Sequence, residues 1–169
     1  MKFNIKDLNT DELVTKSRNE SDDIYSTPST RGDRTYSEVR QTNLYGLAAE
    51  QFLIEKCGFN NDPRSYKDVI SPSGLSVEVK VTTVKKVGAL LSRCDIERQK
   101  PYRQFSDWLF IFESGWLSGV YELYGTYHWD GDGFINKPFD WKDEANIAID
   151  MSYEELWIQN PIFNIKHNV

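Results

Sequence analysis

The chain of 169 residues predicts one α/β domain, and three stretches carry that expectation. From Leu75 to Val81 apolar and polar residues alternate, which is the period of a strand with one face on the core. Between Tyr36 and Cys57, the residues Val39, Leu44, Leu47, Ala48, Phe52 and Leu53 fall roughly on one side of a helix, and Gly58 supplies a natural stop. Ser106-Asp-Trp-Leu-Phe-Ile-Phe112 is almost continuously apolar, as a strand buried on both faces would be. Helices and strands therefore interleave.

Residues 1–35 are polar and are expected to form an N-terminal arm or short helix, ahead of a single domain over residues 36–169. A short helix fits Asp11–Arg18 behind the cap Thr10. Asn19–Gly32 is rich in turn formers and predicts a long loop, either an idle tail or an arm that wraps a partner subunit or DNA. After the Tyr36–Cys57 helix, Ser71-Pro-Ser-Gly74 is a turn by composition, so a short strand containing Asp68 folds back beside Leu75–Val81. Leu75, Val77, Val79 and Val81 then share the core face, while Ser76, Glu78, Lys80 and Thr82 share the other.

Beyond this hairpin lies a short apolar piece, Ala89-Leu-Leu91, and Ser92 is expected to start a helix, with Asp95 in an imperfect capping box, that runs until Pro101. Leu117–Trp129 predicts a further strand or hairpin rich in aromatic residues. Asp130-Gly-Asp-Gly133 predicts a turn and not a calcium loop, because Phe139 stands where the loop's bidentate Glu belongs. A short tail helix is expected at Tyr153–Ile158, and the many Trp and Tyr residues of the last third are assigned to core and subunit interface.

No apolar run approaches the roughly 20 residues of a membrane helix, and the first residues show no signal-peptide pattern, so no membrane partner and a cytoplasmic location are expected. Cys57 and Cys94 stand apart from each other, as do His128 and His167, which suggests neither a zinc site nor a disulfide framework. The net charge of −6 is unevenly spread. Residues 31–105 hold 13 Lys and Arg against 9 Asp and Glu, whereas residues 106–169 hold 3 against 11. A phosphate-binding face in the middle third is compatible with that distribution, although strong binding driven by charge alone is not.

The hairpin brings Asp68 close to Glu78, and two neighbouring carboxylates are relieved by a hard divalent cation. Lys80 points into the same space. This arrangement, Asp68, nine intervening residues, then Glu78-Val79-Lys80, resembles the PD-(D/E)xK nuclease superfamily, with Lys67 where a proline usually precedes the aspartate. Gly46-Leu-Ala-Ala-Glu50 is similar to the Gly-x-x-x-Glu of the first helix in that superfamily. Residues from about 40 to 125 share its element order, and the hairpin spacing is similar to small homodimeric type II restriction endonucleases.

That resemblance implies a restriction-endonuclease-like αβββαβ core with a mixed central sheet flanked by helices. It implies that Asp68, Glu78 and the Val79 carbonyl hold Mg²⁺, for which Mn²⁺ substitutes, and that Glu50 is an outer ligand through water. Lys80 would orient or deprotonate the attacking water. Lys85, Lys86, Arg93, Arg98 and Arg103 are candidate phosphate contacts, and Gln99 is a further polar candidate. The expected substrate is double-stranded DNA, cut by a homodimer because one small domain cuts one strand per site. Two alternatives stay open: a structure-selective recombination or repair nuclease with the same residues, and a non-catalytic DNA-binding or interaction module, including an acidic mimic of DNA.

Overall fold

The computed structural model describes residues 1–62, 68–82, 87–101, 106–114 and 119–141. The elements are β1 (Lys2–Asn4), α1 (Thr10–Ser26), α2 (Pro28–Arg31), α3 (Tyr36–Cys57), β2 (Asn60–Asn61), β3 (Val69–Ile70), β4 (Ser76–Thr82), α4 (Val87–Arg98), β5 (Trp108–Ser114), β6 (Val120–Trp129) and β7 (Phe134–Asn136). The strands form one mixed sheet in the order β1-β6-β5-β4-β3-β2, and β7 also pairs with β6. β4 and β5 run parallel, while the other pairs are antiparallel. The fold is mixed α/β, with helices on both faces of the sheet.

β5 shows why both faces are covered. Trp108, Phe110 and Phe112 enter the cluster shared with Leu47, Phe52 and Leu53 of α3, whereas Leu109 and Ile111 enter the cluster shared with Val87, Leu91 and Cys94 of α4. A strand apolar on every residue needs such a partner layer on each side. The expected alternation of β4 is also present, with Val77 and Val79 on the α3 side. α3 has the predicted bounds, closed by Gly58 in the left-handed region at φ 68°. At its start Thr35 and Glu38 cap each other's backbone N–H groups.

Of the two N-terminal expectations, the short helix is present as part of the longer α1, and the arm needs correction. Residues 1–35 are not an arm: β1 pairs with β6, and Phe3 stacks between Phe52 and Tyr121 with ring centroids 4.3 and 4.7 Å apart. The predicted loop from Asn19 is helical to Ser26, and Asn9, not Thr10, caps α1 by accepting from the Glu12 N–H at 3.2 Å. The buried face of α1 is Leu13, Ser17 and Ser21, spaced four apart. Two of these three are serines, so hydropathy does not mark the face that meets α3.

α4 likewise begins earlier than expected. Ser92 lies inside the helix, and Asp95 accepts from the Phe134 N–H at 2.8 Å instead of capping its own helix. The turn at Asp130–Gly133 is present, with Asp130 Oδ1 accepting from the N–H groups of Asp132 and Gly133. The described aromatics of the last third largely turn inward: Trp108, Tyr121, Tyr127, Phe134, Phe139 and Trp141 are buried in the core. The expected tail helix at Tyr153–Ile158 lies outside the described residues.

Candidate active site

The β3–β4 hairpin is set by its turn. Gly74 adopts φ 92° and donates to the Ser71 carbonyl at 2.9 Å, and the Ser71 N–H reaches the Leu75 carbonyl at 2.8 Å. Val69 then pairs with Val77, which places Asp68, one residue earlier, across from Glu78. β3 has two residues, so from Glu78 onward this edge of β4 has no strand partner among the described residues. Asp68 occupies the edge, accepting from the Val79 N–H at 2.7 Å through Oδ2. In a strand the N–H and C=O of one residue point to the same side, so the Val79 carbonyl also opens toward Asp68.

Glu78 and Lys80 project from β4 on the opposite face from Val77 and Val79, near Cys94 of α4. Lys80 Nζ donates to Glu78 Oε1. Glu78 is 5% exposed, and its Oε2 is buried with no hydrogen-bond partner. Burial pulls the Lys80 ammonium down, but the carboxylates of Glu78 and Asp68 outweigh it and hold the group above its ordinary value. Lys80 therefore stays charged.

Glu50 arrives from α3, behind a helix stretch kept slim by Gly46, Ala48 and Ala49. It lines a cleft of about 270 Å³ together with Asp68, Val79, Lys80 and Arg93. Burial, then the neighbouring Asp68 charge, pushes the Glu50 carboxyl up to about 8. Burial and the charge of Glu78 push Asp68 up to about 6, against the pull of Lys80 and the Val79 N–H. Both displacements come first from burial and second from a neighbouring carboxylate, and a cation between the groups would relieve the second of these.

Four predicted residues, Glu50, Asp68, Val79 and Lys80, thus line one cleft, and Glu78 adjoins it through its bond from Lys80 without being a lining residue itself. Arg93 lines the same cleft and is exposed. Gln99 sits in the turn that ends α4 and is not among the lining residues. Arg98 is engaged elsewhere, donating to the Ser106 carbonyl at 3.2 Å and lying 5.2 Å from the Trp129 ring centroid. Lys85, Lys86 and Arg103 fall outside the described residues. Glu20, Thr42 and Asn43 also line the cleft, and sequence patterns did not single them out. No hydropathy signal marked Glu20, because the buried face beside it is made largely of serines, Ser17 and Ser21.

Among the described residues no three His, Cys, Asp or Glu side chains group closely enough to hold an ion by themselves. A resident cation would lean on two carboxylates and a carbonyl, those of Asp68, Glu78 and Val79, with water completing the shell. The orphaned Glu78 Oε2 fits such a role, since it lacks the partner that a buried carboxylate oxygen requires. No family model, curated protein or solved structure matches the chain.

Proposed function

We propose that the protein is a metal-dependent endonuclease that hydrolyses phosphodiester bonds of duplex DNA, on a restriction-endonuclease-like fold. The observation that carries this reading is Asp68, tied to the Val79 N–H on the open edge of β4, with Glu78 across from it and Lys80 paired to Glu78. From α3 to β5 the elements run helix, three antiparallel strands, helix, parallel strand, an order that supports an αβββαβ core.

In this reading Asp68, Glu78 and the Val79 carbonyl would hold Mg²⁺, whose charge would offset that of the phosphate and lower the pKa of bound water. Glu50 lines the same cleft, and its carboxyl, pushed up to about 8 by burial and the Asp68 charge, would accept from water once a bound cation offsets that negative charge. Lys80, held in its charged form, is a donor and not a base, so orienting the water and the phosphate is the role its surroundings support. Arg93 at the cleft wall is placed to meet a neighbouring phosphate.

A restriction-type enzyme acting as a homodimer in the cytoplasm is the biological form we infer, since two copies about a two-fold axis cut both strands. Supercoiled plasmid incubated with the protein and Mg²⁺ should be nicked and linearised, and EDTA should prevent it. Intact plasmid under both conditions, with branched DNA also uncut, would favour a non-catalytic binding module. Cleavage confined to branched DNA would favour a structure-selective nuclease.

A further inference from the structure

We propose that Glu20 of α1 is a positioning residue of the same site, which makes the N-terminal helix part of the metal-binding apparatus. The inference rests on the metal-dependent reading above. Glu20 lines the cleft with Glu50, Asp68 and Lys80, although it lies 30 residues ahead of Glu50 and on a different helix.

Its location is fixed from both sides. α1 meets α3 through Leu13, Ser17 and Ser21, all buried, and the two serines leave room for a close approach of the helices. Asn43 of α3, itself a lining residue, donates through Nδ2 to Glu20 Oε2 at 3.1 Å, and Ser21 Oγ donates to Asn43 Oδ1 at 3.4 Å. A solvated surface glutamate has no such tether. Independently, Glu78, which accepts from the lining residue Lys80 through Oε1, keeps its other oxygen buried without a hydrogen-bond partner.

Among the described residues the side chains do not close into a three-carboxylate cage. Glu20 therefore acts at longer range, accepting from water on an ion held by Asp68, Glu78 and Val79 and adding its charge to the field at that ion. Outer groups of this kind orient the inner shell and tune its affinity. A helix-to-helix fastener without such a role would affect stability and leave metal affinity alone.

The test is calorimetric titration of the full chain with Mn²⁺, joined to thermal melts in chelator. Glu20→Gln keeps an acceptor for Asn43 and removes the charge. It should weaken Mn²⁺ binding about tenfold, at the low end for outer-shell partners, and leave the melting temperature of the metal-free protein close to wild type. Asn43→Leu, which releases Glu20, should weaken binding in the same direction. Wild-type affinity in Glu20→Gln alongside weakened binding in Asp68→Asn would overturn the role of Glu20 alone. Wild-type affinity in Asp68→Asn as well would overturn the metal reading beneath it.

Discussion

The backbone N–H of Val79 donates to the Asp68 carboxylate at 2.7 Å, across the point where β3 stops pairing with β4. That bond fixes one oxygen of Asp68 on the sheet edge and turns the adjacent Val79 carbonyl to the same side. Asp68→Asn keeps an acceptor for the Val79 N–H but loses the charge that holds a hard cation. Mn²⁺ affinity by calorimetry should fall at least tenfold, and Glu78→Gln should act in the same direction. Unchanged affinity in both variants would mean that these carboxylates do not form the site.

Glu50 makes a prediction about pH. Its folded-state value of about 8 lies above the ordinary 4.5, and that of Asp68, about 6, lies above 3.8. Between those limits the folded chain binds more protons than the unfolded chain, so stability is fully present at low pH and is lost as pH rises through the folded values. In chelator the melting temperature should fall from about pH 5 to pH 8, and Glu50→Gln should flatten that slope. A Glu50→Gln protein with the wild-type slope would show that this carboxyl is not the source.

Phe3 tests whether the N-terminus belongs to the fold. Its ring lies nearly parallel to those of Phe52 and Tyr121 and is 4% exposed. Phe3→Ala should cost about 3–5 kcal/mol, the range for removing a buried phenyl ring, in a denaturant titration. A loss below about 1 kcal/mol, the scale of an ordinary surface substitution, would return residues 1–9 to the status of a loose arm.

These outcomes follow how far the residues could be read before the fold was known. β4, α3 and β5 announce themselves because period 2, period 3.6 and an unbroken apolar run each report how many faces are buried. Asp68, Glu78 and Lys80 were legible because one tight turn and a two-residue spacing set their relation locally. β1 was not: three residues with a single apolar side chain carry no period, and the pairing of Phe3 with Tyr121 spans most of the chain. α1 escaped for a different reason, since Ser17 and Ser21 are buried through closeness of packing and not through hydrophobicity. Glu20 escaped with it, and Arg98 read as a free cation because its partners, Ser106 and Trp129, lie outside its own helix.

Lys80 separates chemistry from binding. It lines the cleft with Arg93, and it is the one of the two that is paired to Glu78 and close to Asp68. Lys80→Ala should remove plasmid cleavage, a loss of at least a hundredfold in rate, while duplex affinity in a Ca²⁺ buffer changes less than about threefold. Cleavage at the wild-type rate would remove Lys80 from the mechanism.

Arg93 and Arg98 lie five residues apart on α4 and should behave oppositely. Arg93 is exposed, lines the cleft and has no ion pair among the described residues, so it is available to a phosphate. Arg98 is already spent on the Ser106 carbonyl, on the Trp129 ring and on Asp107 at 3.9 Å. Removing one cation from a duplex phosphate should reduce the slope of log K against log salt by about 0.9. Arg93→Ala should therefore weaken binding to all sequences alike and flatten the slope by about that amount, with melting temperature unchanged. Arg98→Ala should leave the slope as it was and lower stability by about 1–2 kcal/mol, the scale of a charge-assisted hydrogen bond with a cation–π contact. The two effects exchanged between the variants would place the DNA on the Trp129 side of α4 and away from the cleft.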